Sequence, residues 1–353
     1  MPEVLDIFNN DAFSAASLTD AVNMVPNAYG RVNDLGIFTD EPVSTTSVVA
    51  SITNGVLNLL PTRPRGAPAS LGAPERQNLR SFVVPHIPHD DAVLATDVQN
   101  MLARAPNAGL DTVVSAVNRK LVTMRRKHAI TLENLRVGAL KGIVYDYDGT
   151  TVIYNWFTEF GVTQQSFDFV LGTAGTDVPG LCADVVGYME DNLLGDTMTS
   201  VHALASPEWM KKFLAHPKVQ GAFNFFNQAN GLNPQRDNVR KMFPFQGIMF
   251  EEYRGGATKL NEDKTTTFQR FIPAGEVRFF PLGTTETFKN YWAPPDFVDG
   301  VNVAPTVDGA DAQVFVAPLE RMKFGKGMEI HTESNPLPIC KRPALLVRGT
   351  TSN

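Results

Sequence analysis

From about residue 110 to residue 141, apolar positions recur at three- and four-residue steps: Leu110, Val113 or Val114, Val117, Leu121 and Met124. That period predicts the longest helix of the chain, beginning near Gly109 to Asp111 with one face turned to a core. Gly142 stops it, and Lys141 stands in the last turn, where the helix dipole favours a cation. Thr131 is placed to cap a restart after a kink. The period then changes to that of strands. Residues 143–147 and 150–156 are rich in Val, Ile, Tyr and Thr and flank Asp148 and Gly149, the pair of a type I′ hairpin.

Elsewhere the pattern is less regular. The first 45 or so residues mix short apolar runs with Asn, Asp, Gly and Pro and offer one helix, near residues 14–24. They read as an arm that leans on something else. Residues 44–60 are β-prone and broken by Asn54 and Gly55, a tight-turn pair, and a second extended run covers 79–84. Between them, residues 62–77 carry three prolines and two glycines, which makes the whole stretch a long two-stranded excursion. A lone hairpin is marginal in water, so a neighbouring subunit is expected to supply its missing contacts. A short helix is predicted over 96–104. Farther on, helices are predicted at 181–192 and 207–215, strands at 197–203, 247–253 and 276–281, and an exposed loop at 254–267. Strands near 313–317, 328–332 and 344–347 close the chain. The mixture makes the fold class α+β.

Composition adds limits. The 353 residues are 43% hydrophobic and 19% charged, enough apolar material for two or three domains with sizeable cores. The net charge of −6 argues against a surface that grips DNA everywhere. Cys182 and Cys340 are the two cysteines, in no CxxC or Cys/His cluster, so neither a disulfide framework nor a structural zinc site is expected. The opening residues lack the charged and apolar regions of a signal peptide, and no run approaches about 18 apolar residues. A soluble protein of a reducing compartment, without membrane spans, is the expectation.

The sharpest enzymatic candidate lies in the predicted hairpin. Residues 143–152, with Asp146 and Asp148, fit the first motif of haloacid-dehalogenase-type phosphatases, where one Asp attacks phosphorus, the other moves a proton, and both help hold magnesium. Thr173, Lys211 or Lys212, and Asp196 could complete that set, but no second acid follows Asp196 at the needed distance. The hairpin reading uses every residue on both sides of the turn and is preferred. Arg119, Lys120, Arg125, Arg126, Lys127 and His128 form a basic cluster that could face nucleic acid but, without interleaved aromatics, is read in preference as a solvated or salt-bridged polar face of the long helix. Arg63, Arg65, Arg76 and Arg80, around the Pro/Gly tip, are candidate inter-subunit contacts that could pair with acids of a neighbour. His86 and His89 flank Pro88 in what reads as a turn rather than a metal site. No catalytic, cofactor-binding or metal-binding residues are assigned, and no cofactor is expected.

The order of these elements resembles the major capsid proteins of tailed phages, specifically the lambda-type capsid protein E family. Three stretches carry the resemblance: RKHAITLENLRVGALKGIVYDYDGTTVIYNW (126–156), EVRFFPLGTTETFKNYWAPPDFVDGVN (276–302) and MEIHTESNPLPICKRPALLV (328–347). The resemblance runs over nearly the full length. It implies the Hong-Kong-97-type capsid fold: an N-arm (1–43), an E-loop (44–88), a P-domain with spine helix and hairpin (89–178), an A-domain (179–305), and C-terminal strands returning to the P-domain (306–353). It also implies self-assembly into hexamers and pentamers of an icosahedral head. That head would enclose double-stranded DNA without sequence-specific binding, with scaffold, decoration or cement, and portal proteins as partners. The chain would then sit in the virion, and in the host cytoplasm during assembly. Two other readings predict different behaviour: the magnesium-dependent phosphatase using Asp146 and Asp148, and a nanocompartment shell of the same fold holding a cargo enzyme.

Overall fold

The computed structural model describes residues 17–19, 22, 30–53, 77–102, 109–193, 196–231, 242–260, 265–298 and 314–353. In chain order these form α1 (Arg31–Asp34), β1 (Thr39–Pro42), β2 (Ser47–Thr53), β3 (Gln77–Val83), β4 (Ile87–Leu94), α2 (Ala95–Leu102) and α3 (Gly109–Lys141). Then come β5 (Ile143–Tyr145), β6 (Val152–Asn155), α4 (Trp156–Phe160), β7 (Gln165–Asp168), α5 (Val178–Asp191), β8 (Ser200–Ala205), α6 (Pro207–Ala215) and α7 (Pro217–Gly231). β9 (Met242–Phe245), β10 (Ile248–Glu252), β11 (Gly256–Leu260), β12 (Thr266–Arg270), β13 (Glu276–Leu282) and β14 (Phe288–Trp292) follow. The chain ends with β15 (Phe315–Val316), β16 (Glu320–Arg321), β17 (Gly327–Ser334), β18 (Pro336–Cys340) and β19 (Val347–Thr350). It divides into two compact units: a first of Met1–Val48, Phe82–Arg136 and Lys289–Ile339, and a second of Val49–Ser81, Val137–Phe288 and Cys340–Asn353.

In the first unit α3 packs Val117, Leu121 and Met124 against Val93 of β4, Val316 of β15 and Ile330 of β17. These are the positions that the helical period selects. β17 runs antiparallel to β4 over eight residues, from Gly327↔Leu94 to Ser334↔Ile87. β4 was expected to be a turn because Pro85 and Pro88 dominate the local signal, yet β17 is its partner and no other strand pairs with it among the described residues. A proline without an N–H is tolerated at such an edge. A second sheet of this unit has the order β1-β14-β18, with β1 parallel to β14.

The second unit centres on a six-stranded mixed sheet, β7-β19-β13-β8-β10-β9. α5, α6 and α7 bury Val185, Met189, Trp209, Phe213 and Val219 in the same core as Phe169, Phe243, Phe250 and Phe279. Ring centroids there lie 4.4 Å apart for Phe213 and Phe250 and 5.3 Å for Phe169 and Trp209. Ser206 caps α6 by accepting from the Trp209 N–H at 3.3 Å, and Pro207 opens it, so this helix matches its predicted bounds.

Several expectations are corrected. α3 runs unbroken through Thr131, whose hydroxyl donates to the Lys127 carbonyl at 2.9 Å instead of capping a restart. The β5–β6 hairpin exists, but Asp148 and Gly149 do not make a type I′ loop. That turn needs positive φ at both central residues, and here only Gly149 has it, at 70°. The Gly149 N–H instead bonds the Asp146 carbonyl at 2.9 Å inside a six-residue loop. The pair with positive φ at both positions is Gln246 (49°) and Gly247 (76°), which joins β9 to β10 between Phe245 and Ile248. The expected loop at 254–267 is largely the antiparallel ribbon β11–β12. The strand expected at 344–347 starts only at Val347, after a 3₁₀ turn at Pro343–Leu345. β19 then takes its place between β7 and β13.

Candidate assembly surfaces

β2 and β3 form a two-stranded sheet of their own, joined to no other strand among the described residues. Val49 and Val83 on this hairpin are 61% and 65% exposed, an arrangement a β-branched side chain adopts at an apolar cost. Arg80, on β3, donates to Glu159 of α4 at 2.9 Å, both carboxylate and guanidinium being partly solvated. Such a pair contributes little by itself. Arg63, Arg65 and Arg76 lie outside the described residues.

In the first unit, part of the predicted arm is anchored on its own chain. The Asp40 carboxylate accepts from Asn290 Nδ2 at 2.7 Å, Trp292 Nε1 at 2.8 Å and Arg136 Nη2 at 3.4 Å. Lys289 pairs with Glu41 at 2.5 Å one residue on. Buried Glu133, on α3, accepts from the Val32 N–H at 3.1 Å and so holds α1. Residues 31–42 were expected to lean on a neighbour, and here they dock within the unit. Local sequence could not find these groups, because Asp40 and its partners stand about 100 and 250 positions apart.

Between α3 and the β4–β17 ladder lies a cluster of histidines. His128 is buried, and its Nε2 is 3.0 Å from the Thr332 hydroxyl. Burial, with the positive neighbours His89 and Arg125, pushes its pKa down to about 3, so the ring is neutral near pH 7. His331 behaves oppositely. Partial burial works against its charge, but hydrogen bonds to Glu333 at 2.9 Å and to Asp90 outweigh that and raise its pKa. His89 faces Lys127, Nε2 to Nζ 3.0 Å, and His86 faces Asn335 Oδ1 at 3.1 Å. No group of three His, Cys, Asp or Glu suited to a metal occurs among the described residues.

The phosphatase candidates fall into three neighbourhoods with no partner in common. Asp148 is partly exposed and accepts from the hydroxyls and backbone of Thr151 and Thr150 at 2.6–2.9 Å, which holds its pKa well below the usual carboxylate range. Asp146 accepts from the Tyr147 N–H at 2.7 Å. Thr173 and Lys212 share a different partner, Asn353. Asp196 binds Thr285 at 3.1 Å and Thr287 at 3.3 Å, with Arg342 at 3.8 Å. Cys182 and Cys340 are free, buried thiols whose pKa burial raises to about 12. Among the described residues, no helix is long and apolar enough to cross a membrane.

Known proteins match this arrangement along its length. The family model for phage major capsid protein E matches residues 14–351. The major capsid protein of Pseudomonas phage KPP10 is 29% identical over 349 residues, covering 96% of each chain. That of Salmonella phage Felix O1 (isolate Felix O1-VT1) is 26% identical over 361 residues, covering 95% of each. Among solved structures, a prophage protein of E. coli CFT073 assigned as its capsid protein aligns with TM-score 0.57 at 11% identity, covering 96% of this chain and 99% of that one. A phage-related protein of Bordetella bronchiseptica RB50 aligns with TM-score 0.51 at 12% identity, over 94% and 95%. The α+β architecture is thus of the Hong-Kong-97 capsid type. This chain belongs to the phage major capsid protein E family and is the shell subunit of a phage head.

Proposed function

We propose that the chain self-assembles into hexamers and pentamers that close an icosahedral head around double-stranded DNA, without reading its sequence. In this reading residues 1–43 are the N-arm, 44–88 the E-loop lying over an adjacent subunit, and 89–178 the P-domain with α3 as its spine. Residues 179–305 are the A-domain near the local symmetry axes, and 306–353 supply the C-terminal strands. Scaffold, decoration and portal proteins are its partners, assembly takes place in the host cytoplasm, and the chain performs no catalysis. Arg63, Arg65, Arg76 and Arg80 contact acids of the neighbour, with Arg80 exchanging Glu159 for an inter-subunit partner.

The observation that supports this most directly is the β2–β3 hairpin. Two strands alone with exposed valines are marginal in water, and a second copy would bury them. Head-to-tail contacts of this kind close into rings. The test is negative-stain electron microscopy of the purified chain, alone and with its neighbouring reading frames. Rings, tubes or closed shells are expected. Small discrete particles with magnesium-dependent phosphatase activity, abolished by Asp146→Asn, would overturn the reading.

A further inference from the structure

Charge is distributed very unevenly along this chain. The 33 residues of α3 carry seven Lys and Arg against two carboxylates, a surplus of five. The whole chain stands at −6, so the residues outside α3 sum to −11. Some of those cations are interior: Arg125 and Arg136 are buried, and Lys141 donates to the Phe271 carbonyl at 2.9 Å. The others reach the surface together. From Val114 onward the exposed residues of α3 are Ser115, Asn118, Arg119, Thr123, Arg126 and Lys127. They are three cations and three neutral hydrogen-bonding groups, with no acid and no large apolar side chain.

Arg119 and Arg126 are seven residues apart, about 10.5 Å along the helix and within about 20° of the same angular position. Lys120 and Lys127 repeat the spacing beside them. Their ammonium groups meet Asp91 at 2.8 Å and His89 at 3.0 Å respectively, and Arg119 and Arg126 are the exposed guanidinium groups of this face. Within the helix, Arg119 Nε donates to the Ser115 carbonyl at 3.3 Å.

We propose that this face of α3 contacts the phosphate backbone of double-stranded DNA, an inference that rests on the reading of the chain as a DNA-enclosing shell. A duplex presents a charge about every 1.7 Å of its axis, both strands counted, so two flexible arginines about 10 Å apart can reach phosphates without any one base sequence being required. Short polar groups between cations are the usual phosphate-contacting set and carry no base information. The face lacks the aromatic side chains that would stack single-stranded bases. It also lacks the apolar centre of a protein interface. The −11 carried elsewhere repels the same polyanion, so contact is confined to one stripe per subunit. Each contact is weak, and repetition over many copies makes it count.

The test uses the full-length purified chain and a short fluorescent DNA duplex, with anisotropy read across a salt series. Wild type is expected to bind at about 50 mM salt with a negative slope of log K against log salt. Arg119→Gln with Arg126→Gln is expected to weaken binding tenfold or more and flatten the slope by about 1.8, two phosphate contacts at roughly 0.9 each. Lys211→Gln with Lys218→Gln, exposed cations of α6 and α7, is expected to leave both unchanged. Equal affinity and slope in the arginine variant, or no DNA binding by wild type, would overturn the proposal. Polyglutamate bound at least as tightly as DNA would also overturn it and assign the stripe to an acidic protein. Electron microscopy of the same samples separates the two readings. Shells without the DNA effect defeat only the contact, and an absence of any assembly defeats the shell reading itself.

Discussion

The two units bury different kinds of chemistry. The second is built on a sheet whose Phe243, Phe250 and Phe279 pack with Trp209 and Phe213 of α6 in stacked, tilted and edge-on ring contacts. Its buried polar pairs, such as His202 with Glu251 at 3.1 Å, come from β8 and β10. In the first unit ionisable groups are threaded through the main helix itself. Arg125, His128, Glu133 and Arg136 are buried on α3 among Leu121, Met124, Leu132 and Leu135. An aromatic core is insensitive to pH and tolerant of direction, because dispersion and apolar burial are not directional. A core of paired charges adds less net stability, holds one geometry, and responds to pH.

This contrast can be broken at several places. Trp209→Ala should be the most damaging change, costing about 4 kcal/mol as a large buried ring is lost, read by denaturant unfolding. Asp40→Ala should cost about 3 kcal/mol, since it removes the one carboxylate on which buried Arg136, Asn290 and Trp292 converge. Faster proteolysis within residues 30–43 would accompany it, and unaltered cleavage there would show that the node does not hold the arm. Gly142→Ala should cost about 2 kcal/mol. Its φ is 81°, and a Cβ would run into the Phe157 ring. A neutral effect on the unfolding midpoint would contradict that close approach.

Acid should act on the first unit. The unfolded state takes up the His128 proton near pH 6.5, whereas the folded state resists it until about pH 3, so this stability is present at neutral pH and lost as pH falls between those values. His331 has the opposite sign: its raised pKa adds stability in acid that fades as pH rises through that value. His128→Leu removes the first response and leaves the Thr332 hydroxyl bonded to the His89 carbonyl at 3.0 Å. Hydrogen exchange between pH 7 and 4 should therefore show α3 and β17 loosening in wild type and less so in the variant. The second unit answers at the other end of the scale. Burial and the nearby Arg278 push Lys141 down to about 8, so the unfolded state binds more protons between there and 10.5 and stability rises with pH in that window. The smallest effect should come from Arg80→Ala, a few tenths of a kcal/mol in the isolated chain. A large defect in assembly from the same change would mark Arg80 as an inter-subunit contact.

What could be read beforehand followed from range. α3 was legible because 33 residues repeat one period, and α6 because Ser206 and Pro207 mark its start. The hairpin after α3 was placed correctly, but its turn type depends on the Asp148 carboxylate capping Thr150 and Thr151, which a dipeptide rule does not see. β4 was hidden by its prolines, since the strand that extends it lies some 240 residues away. The Asp40 node was invisible for the same reason. The basic cluster was legible as a cluster, yet only helix burial separates Arg125 and His128 from the outward Arg119 and Arg126.

The β4–β17 ladder also fixes a timetable. Leu94 meets Gly327, 233 positions later, and Gln165 of β7 meets Val347 of β19, 182 positions later. At roughly 5–20 residues per second of synthesis, β4 waits about ten to fifty seconds for its partner. During that interval the last strands of both units are missing together. Residues 327–350 therefore complete both at nearly the same moment, and a subunit becomes competent to join others only once that segment has been made.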